Sequence, residues 1–267
     1  MDKVVSFDQI QGFISEIRNL RKGFVTNFFW DSKRHPYWIA KGTIHYVRGN
    51  DCYLLLQHNN VFVNLFFIAS CYEVVAEVLK TLKSDKDLVI DVVCRGDGDK
   101  ELLNFAEVGF TTYRHLYRMS HTGLMPLEGW EKEASVVHGN TNDAALVWQV
   151  LQRDFDPLCE QLPSLEEIED FAERNELLVI KDEDKLCGFL IAEHTGVTWY
   201  LRYWYTSQDY RNQGIGAKLL KTSLLMAGET KRQMFWVISD NDNAIKRYEH
   251  YGFKRENMND YVLIKKI

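Results

Sequence analysis

The sequence predicts an α/β (α+β) protein that contains two successive copies of one domain. Stretches with apolar residues at helical spacing alternate along the chain with short β-branched and aromatic runs that are typical of strands. The order of these elements in the first half returns in the second half at a fixed offset, which indicates a duplicated fold. A chain of 267 residues is also long enough for two domains.

Composition restricts the class of protein and its partners. Apolar residues make up 46% of the chain and charged residues 26%, as in globular soluble proteins. A net charge of −6 argues against nucleic-acid binding, which requires a basic face. The apolar runs are too short for a membrane span, and no signal peptide is recognisable. Five scattered cysteines without a CxxC pair favour reduced thiols, a cytoplasmic location and no metal site.

The first half predicts helices and strands in alternation after an opening helix. Apolar spacing predicts that helix from Phe7 to Lys22, and the aromatic segment from Trp30 to Lys41 is expected to be irregular around Pro36. The remaining elements are strands at 43–48, 52–58 and 61–68, a helix at 71–83, a strand at 88–93, a helix at 99–108 and a strand at 111–120.

The second half predicts a similar order. Ser164 and Glu167 have the spacing of a capping box and predict a helix start. A hairpin that turns at 256–259 is expected to close the sheet. The other elements are a strand at 134–138, a helix at 142–153, strands at 177–181, 185–193 and 197–206, a helix after Gly216, a strand at 234–239 and a helix at 244–251.

The two halves correspond at an offset of 252 − 109 = 143 residues. Gly109 and Gly252 each precede a phenylalanine after a short helix, and Asp97 falls on Asp240. Glycine and proline interrupt the pattern between the halves. We therefore predict one domain at residues 1–125 and a second at 130–267.

A strand–loop–helix segment in the second half has the clearest chemical signal. Gly214 and Gly216 leave the first backbone N–H groups of the helix uncovered, at the positive end of the helix dipole. Arg211 adds a positive charge, and such a helix start binds phosphate groups. The glycines alone are equally typical of close packing. The segment is neither a Walker loop nor a dinucleotide fingerprint.

Together with a second motif, this loop resembles the GCN5-related N-acetyltransferase (GNAT) family. The motifs are Arg-x-x-Gly-x-Gly at 211–216 and Asn-x-x-x-x-Tyr-x-x-x-Gly-Phe at 243–253, and the resemblance extends over about half of the chain. It implies a tandem form with a mixed central sheet flanked by helices in each domain. It also implies an acetyltransferase that passes the acetyl group of acetyl-CoA directly to a small-molecule amine.

The resemblance also assigns site residues. Asn243, which we additionally interpret as a helix cap, lies where the family contacts pantetheine, and the loop lies where the family binds the pyrophosphate of acetyl-CoA. The coenzyme contacts expected in this way are Thr206, Arg211, Asn212, Gln213, Gly214, Ile215, Gly216, Ala217 and Asn243.

Candidate residues can be named for both the acid and the base of the reaction. Tyr248 stands at the family's position for the acid that protonates the leaving thiolate, although a core tyrosine would occupy the same helix. The strand before the loop has no carboxylate, where many family members have their general base. Glu193 or His194 on the neighbouring strand could accept the proton through water, or both could simply end that strand. An amine that arrives neutral needs no base.

The strand before the loop also predicts the acceptor contacts. Strict alternation places Tyr200, Arg202, Trp204 and Thr206 on one face and Trp199, Leu201, Tyr203 and Tyr205 on the other. We predict Tyr200, Arg202 and Tyr203 as acceptor contacts, although aromatic residues in strands more often belong to the core. Arg202 would either pair with an acid such as Asp209 or bind the carboxylate of an amino-acid-like acceptor.

The first half lacks the features of the second. Glu73 stands where a phosphate would lie, and Phe105 takes the place of Tyr248. We expect this half to be a degenerate copy that shapes the acceptor cleft or a dimer face, and a homodimer is left open. An alternative for the chain is a non-catalytic acyl-CoA-binding or scaffold protein. A further alternative is aminoacyl transfer of the peptidoglycan-bridge type, against which the acidic composition argues.

Overall fold

The computed structural model describes all residues, 1–267, and packs into two compact units. Unit 1 contains Met1–Leu116 and Asn257–Ile267, and unit 2 contains Tyr117–Glu256. The C-terminal residues therefore pack within the unit that the first half of the chain builds, which the sequence does not indicate. The predicted domains at 1–125 and 130–267 were defined by the repeated order of elements along the chain, not by packing. They stay a prediction.

The elements of the first half alternate from the start of the chain. Residues Gly109 and Phe110 connect the last two of them. In order they are β1 (Asp2–Lys3), α1 (Phe7–Asn19), β2 (Val25–Thr26), α2 (Arg34–Lys41), β3 (Ile44–Gly49), β4 (Cys52–His58), β5 (Phe62–Ala69), α3 (Tyr72–Thr81), β6 (Asp87–Cys94), α4 (Asp99–Ala106) and β7 (Thr111–Thr122).

The second half continues with a short strand and two helices before its main strands. A single 3₁₀ turn at Gln208–Tyr210 lies in the loop between β11 and α7. The elements are β8 (Val137–His138), α5 (Thr141–Asp154), α6 (Leu165–Glu173), β9 (Leu177–Asp182), β10 (Lys185–Thr195), β11 (Thr198–Thr206), α7 (Ile215–Ala227), β12 (Arg232–Ile238), α8 (Asp242–His250) and β13 (Lys254–Lys265).

Unit 1 is a mixed sheet with helices on both faces. Its strands follow the order β1-β3-β4-β5-β6-β13-β7, and β5 and β6 are parallel because α3 crosses between them. One face packs Phe67 against α3 and against Phe105 of α4. The other face packs Phe66 and Tyr53 against α1 and α2. Each helix thus buries its apolar stripe against one side of the sheet.

Unit 2 repeats this architecture with the order β7-β12-β11-β10-β9-β8, in which β7 is represented by its residues from Tyr117 onward. Leu190 and Leu219 belong to the core beneath α7 and α8, and Phe189 and Phe171 belong to the core beneath α5 and α6. Neighbouring residues of β10 enter opposite cores because side chains alternate across a strand. The predicted capping box at Ser164 and Glu167 is confirmed. None of the helices is long and apolar enough to cross a bilayer.

Three expectations about the elements are wrong. The segment before Gly42 contains a regular helix, α2, which Gly42 ends in the left-handed region. The strand expected at 134–138 is only β8. The expected hairpin at 256–259 is absent, since β13 is continuous and its ladder with β6 runs from Asn259 to Lys265. The polar run before Tyr261 has turn-forming residues, but Asn259 and Asp260 at its end already pair with β6.

Candidate functional site

The start of α7 exposes backbone donors that the protein does not use. Gly214 is its N-cap and supplies no side-chain hydrogen bond, and the first helical bond runs from Lys218 N to Gly214 O at 3.0 Å. The N–H groups of residues 212–217 have no backbone or side-chain acceptor. In contrast, the side chains of Asn140, Ser164 and Asn241 cap the other three helices of unit 2. The positive end of α7 is therefore left for an external acceptor.

The two glycines of this loop have different roles. Gly214 has a positive φ of 74°, and a Cβ on it would meet nothing within 4 Å. Asn212 in the same loop also has a positive φ, of 64°. A Cβ on Gly216 would lie 3.2 Å from Thr206 Oγ1 and 3.3 Å from Trp204 Cζ2. Gly214 therefore permits the left-handed backbone at an open surface, whereas Gly216 permits close packing of α7 on β11.

The charge around this helix start favours an anion. Arg211 is exposed and has no ion-pair partner, and the first turn of α7 contains no acidic residue. The Tyr210 hydroxyl donates a hydrogen bond to Asp182 Oδ2 at 3.0 Å, which holds the loop against β9. The loop is thus anchored while its guanidinium remains available to a ligand.

The strands before and after α7 separate beside this helix start. β11 and β12 pair only through Trp199 with Gln233 and Tyr200 with Met234. Beyond that point the edge of β11 that faces β12 has no ladder partner. The indole Nε1 of Trp204 lies in this part of β11 and is buried without an acceptor. A buried donor without a partner costs about 1–3 kcal/mol, so a ligand with acceptor groups would complete the site.

Tyr248 lies on α8 next to the same tryptophan. Its ring centroid is 5.4 Å from that of Trp204 and 4.3 Å from that of Phe235. The side chain is half-buried, and this burial raises the pKa of Tyr248 to about 12. The hydroxyl has no hydrogen-bond partner within the protein and keeps its proton at neutral pH. It can therefore donate to a ligand in the opening between β11 and β12.

The cap of α8 is Asn241 and not Asn243, so that part of the prediction is wrong. The Asn241 side chain accepts a hydrogen bond from Ala244 N at 3.2 Å, and Asn243 lies exposed in the first turn. Asparagine and aspartate alternate from Asp240 onward and all four residues are competent caps, so the sequence cannot select one. The contact of Asn243 with pantetheine stays a prediction.

Glu193 and Arg202 form a buried ion pair with each other. Arg202 Nε donates to Glu193 Oε1, and only 2% of the Glu193 side chain is exposed. The guanidinium also lies over the rings of Tyr200 and Phe171, at 5.2 and 5.9 Å. The sequence predicts that Arg202 either pairs with an acid such as Asp209 or binds an acceptor carboxylate, and the structure pairs it with Glu193. An acceptor amine would have to compete with Arg202 for this carboxylate. His194 is exposed and packs against Trp199.

A β-bulge changes which residues of β11 share a face. Ile191 pairs with Tyr203 and Ala192 with Leu201, so Arg202 is the extra residue of the bulge. The predicted strict alternation is therefore wrong beyond Leu201. Trp204 joins the core beneath α7, whereas Tyr203 is 6% exposed in the core beneath α5 and α6.

Tyr203 therefore differs from the other predicted acceptor contacts. Its hydroxyl donates to the carbonyl oxygens of Glu160 and Gln161, both at 3.0 Å. This placement argues against a contact with an acceptor. Tyr200 and Arg202 are half-buried on the same side of the sheet. The sequence analysis did not predict Trp204 as a site residue. Its position in the strand just before the phosphate-type loop is the sequence feature that could have indicated it.

Comparison with known proteins adds a family and a fold. The sequence model of the acetyltransferase (GNAT) family matches residues 144–253. No curated protein matches the chain. A tandem GNAT protein from the clavulanic acid biosynthesis pathway, solved without AcCoA, is 12% identical, with a TM-score of 0.62 over 99% of this chain and 97% of that one.

Two further solved structures have the same fold. A GCN5-related N-acetyltransferase from Kribbella flavida is 14% identical, with a TM-score of 0.55 over 89% of this chain and 96% of that one. One from Sphaerobacter thermophilus is 13% identical, with a TM-score of 0.57 over 81% and 76%. At these identities the likeness shows the fold alone. It confirms the predicted fold class of two such domains in tandem.

Proposed function

We propose that the chain, an acyltransferase of the GNAT type, transfers an acetyl group from acetyl-CoA to a small-molecule amine. The observation that carries this proposal is the start of α7, where a row of backbone N–H groups and the free guanidinium of Arg211 have no acceptor within the protein. A pyrophosphate is the chemical group that fits such a helix start.

The residues around this helix start suit a coenzyme A thioester. Each hydrogen bond from a backbone N–H to a charged oxygen contributes about 1.5–3 kcal/mol, so several such bonds would hold the coenzyme. The orphaned indole N–H of Trp204 and the unpaired edge of β11 offer polar contacts to the amides of pantetheine. The proposed coenzyme contacts are Thr206, Arg211, Asn212, Gln213, Gly214, Ile215, Gly216, Ala217 and Asn243.

Tyr248 is proposed to stabilise the leaving group. When bound, acetyl-CoA would supply the thioester. Its carbonyl carbon would gain a bond to the amine nitrogen while the C–S bond breaks and leaves its electron pair on sulfur. Overall, one proton would pass from nitrogen to sulfur. The pKa of the Tyr248 hydroxyl is raised to about 12 by burial, above the value of about 8.5 for an ordinary thiol. The hydroxyl would thus act mainly as a hydrogen-bond donor to the developing thiolate.

Glu193 is proposed as the group that receives the proton of the amine through a water molecule. Its carboxylate is held by Arg202 on the sheet face opposite to the one that α7 covers. Tyr248 packs on the α7 side. The opening between β11 and β12 joins the two faces, so proton acceptance and thiolate stabilisation would occur from opposite sides of the reacting carbonyl.

The proposal is tested by the release of free coenzyme A thiol from acetyl-CoA in the presence of a panel of small primary amines. We expect thiol release that depends on both the protein and an amine, with the acetylated amine detected by mass spectrometry. Tight binding of acetyl-CoA without release for any amine would contradict the proposal and favour an acyl-CoA-binding protein. Absence of acetyl-CoA binding by the folded chain would contradict the assigned coenzyme site as well.

A further inference from the structure

A second charged cluster of unit 2 lies on the sheet face that carries Glu193 and Arg202. Tyr200 of β11 pairs with Met234 of β12, so Met234 shares that face. Trp236 and Arg232 lie two residues to either side of Met234 and therefore point the same way. Their neighbours Gln233 and Phe235 are buried on the other side, and Phe235 belongs to the core beneath α7 and α8.

The cluster consists of two arginines that share one carboxylate. Glu256 accepts hydrogen bonds from Arg118 Nε at 2.6 Å and from Arg232 Nη2 at 2.8 Å. Burial by itself would raise the pKa of Glu256, yet hydrogen bonds from Ser120, Arg232 and Arg118 lower it to about 2. The carboxylate is therefore ionised at neutral pH, and the three residues together carry one net positive charge.

The guanidinium groups have donors to spare. The side chains of Arg118 and Arg232 are 22% and 33% exposed, and Glu256 is their only acidic partner. A guanidinium has five N–H donors in a planar fork that fits a carboxylate. The Arg118 guanidinium also lies over the ring of Trp236, 5.7 Å from its centroid. A cation and an apolar wall therefore lie side by side on this face.

This pair lies beside the opening between β11 and β12. Met234 belongs to the last paired position of the two strands, and Trp236 is the next residue of β12 on the same face. Arg202, which would otherwise be the equivalent cation on β11, is held by the buried Glu193. Arg118 therefore lies next to the opening and has donors available, because its acidic partner Glu256 also binds Arg232.

We propose that the acceptor is an amine that also bears a carboxylate, and that Arg118 binds this carboxylate while Trp236 forms the apolar wall of the acceptor site. The inference rests on the proposed function and adds the chemical class of the acceptor. Arg232 and Glu256 hold the Arg118 guanidinium in position, so that its fork is ordered before the acceptor binds. Only binding is assigned to Arg118, and the transfer step is unchanged.

The test compares α-amino acids with their carboxamides as acceptors for the full chain. Rates are compared at equal concentrations of neutral amine, because the amide form lowers the pKa of the amino group. We expect wild type to favour the acids in kcat/KM by about 10- to 100-fold, the value of a charged hydrogen-bonded pair. Arg118→Gln should remove this preference through a higher KM for the acids, and Arg118→Lys should retain part of it.

The ratio of acid to amide does not depend on the fraction of folded enzyme, so a partly unfolded variant still reports on the inference. Arg153→Gln is the matched control, since Arg153 is an exposed arginine of unit 2 whose partner is Asp154, and it should leave the ratio unchanged. Equal use of acids and amides by wild type, or an unchanged ratio in Arg118→Gln, would overturn the inference and leave the acyltransferase function intact. Binding of acetyl-CoA without turnover of any carboxylated amine would also overturn it.

Discussion

The helices α3 and α7 begin at matching positions of the two halves, 72 + 143 = 215, but their N-termini are completed in different ways. β5 ends at Ala69 and α3 follows almost at once, with Glu73 in its first turn. The Cys71 side chain and the backbone N–H of Glu73 lower the pKa of that carboxyl. In the second half, residues 207–214 form an exposed loop with Arg211, and no acid follows in α7.

The difference is that the first turn of α3 contains an acid of the chain itself, whereas the first turn of α7 contains none. A carboxylate in the first turn compensates the positive end of the helix dipole. In α3 the chain supplies this anion itself, whereas in α7 the backbone donors and Arg211 remain open. A helix start can therefore keep its place in a duplicated fold and lose its ligand site through one residue and a shortened loop.

The largest effect is expected from making the second half resemble the first at Tyr248, the proposed hydrogen-bond donor to the leaving thiolate. The counterpart of Tyr248 is Phe105, since 105 + 143 = 248. Tyr248→Phe should lower kcat by about 10²-fold or more and leave the dissociation constant of acetyl-CoA unchanged, because the coenzyme is held at α7. Steady-state kinetics and calorimetry measure the two quantities.

The matched control is Tyr251→Phe, a half-buried tyrosine at the end of the same helix, which should leave kcat unchanged. In wild type the rate should not fall between pH 7 and pH 10, because burial raises the pKa of Tyr248 to about 12 and the hydroxyl keeps its proton. Full activity in Tyr248→Phe would remove this residue from the mechanism.

A smaller effect is expected when α7 receives an acid of its own. Ala217→Glu places a carboxylate in the first turn, as Glu73 does in α3, and should weaken acetyl-CoA binding by about 10-fold through repulsion of the pyrophosphate and compensation of the helix dipole. Ala217→Gln has nearly the same size and should bind much more tightly than the acidic variant. A loss that is equal for both variants and independent of salt would point to steric exclusion instead.

The smallest effect concerns α3. Glu73→Gln should lower the free energy of unfolding by about 0.3–1 kcal/mol at pH 7, the usual value for an exposed charge at a helix end. Because folding lowers the pKa of Glu73, its contribution is present above the unfolded value and is lost as pH falls through the folded value. Denaturant titrations of both proteins at pH 7 and pH 3 should therefore converge at the lower pH. A constant difference would assign the effect to packing.

The sequence was sufficient for the fold class and for most elements. Helical spacing, the capping box at Ser164 and the turn residues are local signals, and the structure contains the corresponding helices and strands. The offset of 143 also holds for the last strands, since Thr111 and Thr122 of β7 fall on the ends of β13. Local signals could not reveal that the end of β13 pairs with β6 in unit 1, because strand pairing depends on residues distant in sequence.

The candidate site was only partly accessible from the sequence. The loop residues could be selected because glycines, an arginine and a helix start are adjacent in the chain. The bulge at Arg202 could not be read, since one extra residue in a ladder leaves no compositional mark and still reverses the faces of Tyr203 and Trp204. The ion pair of Glu193 and the arginines around Glu256 join residues from different strands.

The most direct test of the contrast between α3 and α7 is calorimetric titration of acetyl-CoA into wild type, Arg211→Glu and Arg95→Glu. Arg95 is an exposed arginine of the first half and controls for the change of net charge. We expect one site per chain in wild type and in Arg95→Glu, and affinity lower by about 100-fold in Arg211→Glu. Two sites per chain, or unchanged affinity in Arg211→Glu, would contradict the assignment of the coenzyme site to the start of α7.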